Sequence, residues 1–196
     1  MKSHGTFQRL MKNQSYHTNM KYYNYQVTFS EIPDEITLCI NLSNCPIHCP
    51  DCHSKFLWED QGVELTREEL ERILEENKHV SCVCFMGGDA DYGGLRMLLR
   101  WTWIWMSSNR KRFKTALYSG RLDMQDLADR SLEWSKPWLM QSFDYIKVGP
   151  FIKSLGGLDS RDTNQRLYKM SVCGDKLAFH QSHYISGWDF TPKFWK

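Results

Sequence analysis

The sequence has no long apolar run and no excess of charge of one sign. Its most apolar stretch, residues 95–106, contains Arg96 and Arg100 and is too short for a bilayer, which takes about 20 apolar residues. With 25 basic and 23 acidic residues, the formal net charge is only +2. General attraction to nucleic acid or to an anionic membrane is therefore not indicated, and partners must be inferred from specific sites.

The start of the chain lacks the apolar core of a signal peptide. We interpret residues 1–24 as a polar N-terminal extension and residues 25–196 as one domain, because a regular apolar pattern begins only at Tyr25. We expect a cytoplasmic protein. In that compartment thiols stay reduced, and clustered cysteines are more often metal ligands than disulfides.

Periodic apolar patterns predict an α/β fold. The predicted strands cover residues 25–29, 36–42, 80–86, 114–118 and 143–148. The predicted helices cover residues 67–78, 94–108 and 123–134, the first of them opened by a capping box at Thr66. The alternation of strands and helices favours a parallel sheet. We also predict a small antiparallel β appendage that covers this sheet, formed by residues 167–173 and 176–179 on either side of a turn at Gly174-Asp175.

Three of the seven cysteines, Cys45, Cys49 and Cys52, follow the second predicted strand at C-x3-C-x2-C spacing. Thiolates at this density select zinc or iron–sulfur. A structural zinc site would recruit His48 or His53 as its fourth ligand, whereas an iron–sulfur cubane on three cysteines would leave one iron open to a substrate. Attachment of c-type haem is disfavoured by the absence of a signal peptide, and disulfide pairing of these thiols is disfavoured by their spacing.

Two further cysteines, Cys82 and Cys84, alternate with valine on a predicted strand and so point to the same face. We interpret them as reduced thiols packed in the core, with a second metal site as the alternative.

The cysteine triplet after one strand and Gly87-Gly88-Asp89 after another resemble the radical S-adenosylmethionine (SAM) superfamily. Further motifs resemble the activating proteins of anaerobic ribonucleoside-triphosphate reductases. These motifs are Asn41-Leu42-Ser43-Asn44-Cys45, Cys52-His53-Ser54, Trp58-Glu59-Asp60, Tyr118-Ser119-Gly120, Asp144 to Pro150 and Thr163-Asn164-Gln165-Arg166.

The resemblance implies an incomplete TIM-type β/α barrel of the radical SAM type. It implies a 4Fe-4S cluster on Cys45, Cys49 and Cys52, reduction by a flavodoxin-type electron donor, and cleavage of SAM to a 5′-deoxyadenosyl radical. That radical would take a hydrogen atom from a glycine of the reductase large subunit. An activase of another glycyl radical enzyme, a small-molecule radical SAM enzyme and a zinc-stapled binding module are the alternatives.

Contacts with SAM also follow from the resemblance. Gly87 and Gly88 are predicted to bring backbone carbonyls close to the SAM ammonium group, with Asp89 as a further acceptor. Asp51 and His53 are predicted to lie near the adenine.

Ser119 and Arg121 follow the next predicted strand. They are expected to hold the SAM carboxylate, because arginine binds carboxylates in a bidentate manner. Lys147, inside the predicted strand over residues 143–148, is interpreted as a structural or partner-facing cation.

Overall fold

The computed structural model describes residues 18–130, 139, 142–172 and 185–195. Its strands are β1 (Lys21–Thr28), β2 (Thr37–Leu42), β3 (Val63–Glu64), β4 (Cys82–Met86), β5 (Lys114–Tyr118), β6 (Tyr145–Val148), β7 (Arg166–Val172) and β8 (Ile185–Asp189). Its helices are α1 (Arg67–Glu76), α2 (Tyr92–Ser108) and α3 (Met124–Arg130), with short 3-10 helices at Lys55–Leu57 and Thr191–Phe194.

These strands form one mixed sheet in the order β3-β1-β2-β4-β5-β6-β7-β8. The central strands β2, β4, β5 and β6 are parallel, and each connection between them contains one of the helices. The predicted parallel α/β centre is therefore confirmed. Their carboxyl ends meet along one side of the sheet, which we call the carboxyl rim.

The two faces of the central sheet have different packing. On one face Leu38, Ile40 and Phe85 pack with the apolar side of α2. On the other face Cys82 and Cys84 pack together, fully buried. All six residues of β2 are buried, as expected for a strand covered on both sides. The prediction that Cys82 and Cys84 are core thiols is confirmed.

Local capping signals place the helix starts. The Thr66 hydroxyl caps α1 by accepting the Glu69 N–H at 3.2 Å, which is one of the two hydrogen bonds of the predicted capping box. The Glu69 carboxylate bonds Tyr22 and Arg72 instead of completing the box. Helix α2 begins two residues earlier than predicted, because the Asp91 carboxylate caps it by accepting the Gly94 N–H at 2.8 Å. Within the described ranges, no helix has the length and apolarity to cross a membrane.

The first strand corrects the predicted boundary of the N-terminal extension. Strand β1 begins at Lys21, and Met20 and Tyr22 are buried. Tyr22 pairs antiparallel with Leu42 on one side and with Val63 on the other, so residues 21–24 belong to the sheet. The prediction for residues 1–17 lies outside the described residues.

The C-terminal strands correct the predicted appendage. Strand β7 pairs antiparallel with β6, and β8 pairs antiparallel with β7. They therefore continue the central sheet sideways and do not cover it, because β7 takes up the backbone hydrogen bonds along the edge of β6. The predicted turn at Gly174-Asp175 and the predicted strand over 176–179 lie outside the described residues.

Candidate functional site

The loop after β2 presents Cys45, Cys49 and Cys52 at the carboxyl rim. At the base of this loop, the Cys45 N–H donates a hydrogen bond to the Leu57 carbonyl at 2.8 Å. Within the loop, the Cys52 N–H donates to the Cys49 carbonyl at 2.9 Å and so forms a tight turn. All three thiols are free and half-buried. The fold thus gathers the three cysteines in one short loop; we call residues 45–57 the cysteine loop.

Backbone N–H groups point at two of the sulfurs. The Ser54 N–H donates to Cys52 Sγ at 3.3 Å. Burial raises the pKa of the Cys45 thiol, while backbone hydrogen bonds from Ile47 and His48 lower it. Such hydrogen bonds stabilise thiolate charge.

The two glycines after β4 have backbones that other residues rarely adopt. Gly87 has φ +95° and Gly88 has φ +99°, both in the region that favours glycine. A Cβ on Gly87 would lie 3.2 Å from the Leu42 carbonyl oxygen, at the end of β2. These glycines therefore let the rim loops after β2 and β4 approach closely.

The β5 loop packs directly on the cysteine loop. A Cβ on Gly120 would lie 2.7 Å from Ile47 Cγ1, closer than side-chain atoms normally approach. No space for a side chain exists there, so the two loops share one surface.

Asp89 joins three parts of the rim. Its carboxylate accepts hydrogen bonds from the Ser119 hydroxyl at 2.6 Å, the Gly120 N–H at 2.9 Å and the Tyr92 hydroxyl at 3.1 Å. The side chain is only 1% exposed. Asp89 therefore connects the end of β4, the start of α2 and the loop after β5.

Arg121 completes this network. Its Nη2 donates to the Asp89 carbonyl at 3.1 Å and its Nε to the Tyr92 hydroxyl at 3.0 Å. Its backbone N–H donates to the Ser119 hydroxyl at 3.1 Å. Burial raises the pKa of Tyr92, which keeps this hydroxyl neutral. The structure thus brings together three predicted SAM contacts, Asp89, Ser119 and Arg121.

The remaining predicted contacts lie on the cysteine loop. Asp51 and His53 are both exposed. The His53 ring packs on Phe151 with centroids 4.6 Å apart, and the His48 ring stacks on Trp58 at 4.8 Å. The two histidines considered as zinc ligands therefore pack against aromatic rings, and His53 links the cysteine loop to the loop after β6.

Lys147 is the functional candidate that sequence reasoning missed. It is buried, which removes the partner-facing interpretation, and its Nζ donates to the Gly149 carbonyl at 2.7 Å. Burial lowers the pKa of Lys147 to about 8, against the opposing effect of Asp89 and the three loop cysteines. The sequence signal that could have indicated this buried charge was a lysine within a short central strand whose other residues are apolar or aromatic.

Among the described residues, no group of three or more His, Cys, Asp and Glu side chains is arranged to hold a metal ion. The types of donor atom fit an iron–sulfur cluster, because three free thiols share one loop and backbone N–H groups point at the sulfurs of Cys45 and Cys52.

No protein-family model matches the chain, and no curated protein and no solved structure shows significant similarity to it. The family therefore stays a prediction from the sequence motifs.

Proposed function

We propose that this chain is a cytoplasmic radical SAM activase that generates a glycyl radical on an anaerobic ribonucleoside-triphosphate reductase. The observation that carries the proposal is the packing of a three-thiol loop against Gly120 in the loop after β5, which Asp89 connects to the end of β4. In this proposal the central strands belong to an incomplete TIM-type β/α barrel, whose carboxyl rim is the usual position of a site.

Cys45, Cys49 and Cys52 would hold a 4Fe-4S cluster. When bound, the cluster supplies the single electron that splits the SAM sulfonium. Three ligands in the loop suit a cluster with one iron left for SAM. The half-buried position of the cysteines limits water around their sulfurs, and the Ser54 N–H stabilises the charge on Cys52.

SAM would lie between the loops of the rim. Gly87 and Gly88 allow a ligand to approach their backbone, since neither has a side chain. Asp51 and His53 would border the adenine, and the Arg121 guanidinium, only 15% exposed, would orient the carboxylate.

We assign Asp89 and Ser119 a second task at this site. Their mutual hydrogen bond at 2.6 Å fixes the β5 loop relative to β4, so both side chains would set the shape of the SAM site in addition to touching the ligand.

Exposed apolar side chains on the rim loops support a protein substrate. Phe56 is 38% exposed, Ile152 41% and Leu122 70%, and each lies in a loop that follows a parallel strand. Apolar groups around a site favour contact with another protein. The reductase large subunit would bring its glycine to this rim, and a flavodoxin-type protein would deliver electrons.

Anaerobic reconstitution with iron and sulfide tests the proposal. We expect a brown protein with about four irons per chain, which consumes SAM when reduced and releases 5′-deoxyadenosine. A colourless protein that holds one zinc and is inert toward SAM would instead identify a zinc-stapled binding module.

The partner is tested by electron paramagnetic resonance. Reduced protein, SAM and the anaerobic reductase together should yield the doublet of a glycyl radical. Cleavage of SAM without a doublet would favour the activase of another glycyl radical enzyme or a small-molecule radical SAM enzyme.

A further inference from the structure

Strand β1 contains a β-bulge beside the cysteine loop. Between Tyr22 and Asn24 the register of β1 with β2 shifts, so that Tyr23 is one extra residue. Tyr22 and Tyr25 both pack on the face of the sheet that carries α2. Because side chains of a regular strand alternate between faces, the bulge turns the two residues between them, Tyr23 and Asn24, to the opposite face. Bulges of this kind re-aim side chains at the rims of sheets and next to functional sites.

Asn24 and Asn41 form a pair of side-chain amides on that opposite face. Asn41 is the register partner of Asn24, and its Nδ2 donates to Asn24 Oδ1 at 2.6 Å. Asn24 is exposed, and Asn41 beside it is 8% exposed. Within the described ranges neither side-chain amide makes another hydrogen bond. Since each amide has two N–H donors and a carbonyl acceptor, the donors of Asn24 and the acceptor of Asn41 are left for a ligand.

A donor next to an acceptor is complementary to the backbone of a peptide. The Asn24 N–H groups can donate to a peptide carbonyl, while the Asn41 carbonyl can accept a peptide N–H. Contacts of this type recognise backbone and not particular side chains, as in other modes of peptide recognition. A segment that contains glycine suits them, because a residue without a side chain lets its backbone approach closely.

An exposed aromatic pair adjoins the two amides. Tyr23 is 46% exposed and Phe56, in the cysteine loop, is 38% exposed. Their ring centroids lie 4.6 Å apart, so the bulge packs directly on the cysteine loop. Exposed aromatic side chains are typical of the central residues of protein interfaces. The amides and the rings thus form one surface that is continuous with the carboxyl rim.

A nucleobase is the other ligand that side-chain amides and aromatic rings recognise. The two rings touch each other with their planes tilted by 44°, which leaves no flat slot for a base between them. The nearby cations are also engaged. Lys21 pairs with Asp60 at 3.0 Å, and the Lys55 ammonium lies over the Trp58 ring. Neither is left to hold a phosphate, so the surface fits a peptide better than a nucleotide.

We propose that Asn24, Asn41 and Tyr23 form a docking site for the backbone of a glycine-containing segment of a protein partner. For the identity of that partner, the inference rests on the proposed function, in which the segment belongs to the reductase large subunit. Asn24 donates to a carbonyl of the segment, Asn41 accepts one of its N–H groups, and Tyr23 packs beside it. None of these contacts requires a metal or SAM, so the site is testable on the metal-free chain.

The first test uses capped pentaglycine, a probe that offers only backbone groups. Titrated into the isotope-labelled, metal-free full chain, it should cause saturable shifts of the side-chain amide signals of Asn24 and Asn41 in nuclear magnetic resonance spectra. Asn24→Asp should abolish the shift of Asn41, because the carboxylate still accepts from Asn41 but donates nothing to a ligand. Gln26→Glu is the matched control. It makes the same chemical change at another exposed position of β1, and both shifts should remain.

The second test measures the affinity of the metal-free chain for the reductase large subunit by calorimetric titration. Asn24→Asp should weaken binding about tenfold, which corresponds to the loss of one or two hydrogen bonds. Gln26→Glu should change the affinity by less than about twofold, since a charge at the edge of an interface contributes little.

Pentaglycine that leaves both amide signals unmoved overturns the inference, and so does an equal loss of affinity in the Asn24 and Gln26 variants. Amide signals that move with adenosine but not with pentaglycine would identify a nucleobase site and would equally overturn it. If the signals move with pentaglycine and the unsubstituted chain does not bind the reductase, the docking site is supported and the proposed partner is wrong, which is a separate outcome.

Discussion

The Asp89 carboxylate accepts the Ser119 hydroxyl at 2.6 Å, and both residues are almost fully buried. The same carboxylate accepts the Gly120 N–H at 2.9 Å, and Gly120 lies directly against Ile47 of the cysteine loop. The position of the cysteines therefore depends on a carboxylate that is distant from them in sequence.

Substitution of Asp89 tests this dependence. In Asp89→Asn one carboxylate oxygen becomes an amide that cannot accept a hydrogen bond, so a buried donor loses its partner. We expect the free energy of unfolding to fall by about 1–3 kcal/mol and a chelator to remove iron faster. Urea unfolding and iron release measure the two effects.

Asp91→Asn is the control for that variant. Asp91 caps helix α2, and asparagine is as good a capping residue as aspartate. The free energy of unfolding should therefore change by no more than a few tenths of a kcal/mol, and the rate of iron release should not change measurably. Equal iron release from the Asp89 and Asp91 variants would contradict the role given to Asp89.

The contact between Gly120 and Ile47 predicts a rescue experiment. Gly120→Val places atoms where the Ile47 side chain lies, since even a Cβ would come within 2.7 Å of it, and should displace the cysteine loop and reduce the iron bound per chain. Adding Ile47→Ala should restore much of the bound iron, because it frees the space. An absence of rescue would show that Gly120 is needed for another reason.

The three loop cysteines and the core thiols should behave differently. Cys49→Ser should lose most of the bound iron with little loss of stability, since Cys49 is half-buried. Cys84→Ala should keep the iron but lower the free energy of unfolding by about 1 kcal/mol, because Cys84 is fully buried in the core. Iron content and urea unfolding separate the two cases. Iron loss from both variants alike would argue against a cluster confined to the loop.

Stability should fall in acid partly through Glu69. A hydrogen bond from Arg72 lowers the pKa of Glu69 to about 2 against the opposing effect of burial, and a hydrogen bond from Tyr22 makes a smaller contribution in the same direction as Arg72. A carboxyl group with a lowered pKa stabilises the fold above its unfolded pKa, and this stabilisation disappears as the pH falls from about 5 to about 2.

Urea unfolding across that pH range measures this contribution. Glu69→Gln should flatten the pH dependence, whereas Glu68→Gln, at the exposed neighbouring position, should leave it nearly unchanged. Identical profiles for the two variants would show that the interaction between Glu69 and Arg72 does not contribute.

Several parts of the fold could be predicted because their signals are local. The apolar runs of β4 and β5 arise from burial on both faces of a central strand, and the Thr66 cap acts over three residues. The start of β1 and the place of β7 could not be predicted. Both depend on backbone pairing with β2 and β6, which lie elsewhere in the chain. The periodicity of a segment does not indicate which other strand it will pair with.

At the rim, the sequence by itself determined the spacing of Cys45, Cys49 and Cys52 and their place after a strand, because a short loop keeps its side chains near one another whatever surrounds it. Only the tertiary structure decided that Asp89 binds Ser119, 30 positions away, and that Lys147 is buried with its ammonium on the Gly149 carbonyl. The reason is that hydrogen-bond partners and the exposure of a charge depend on which strands pack together, and that packing is set by the whole sheet.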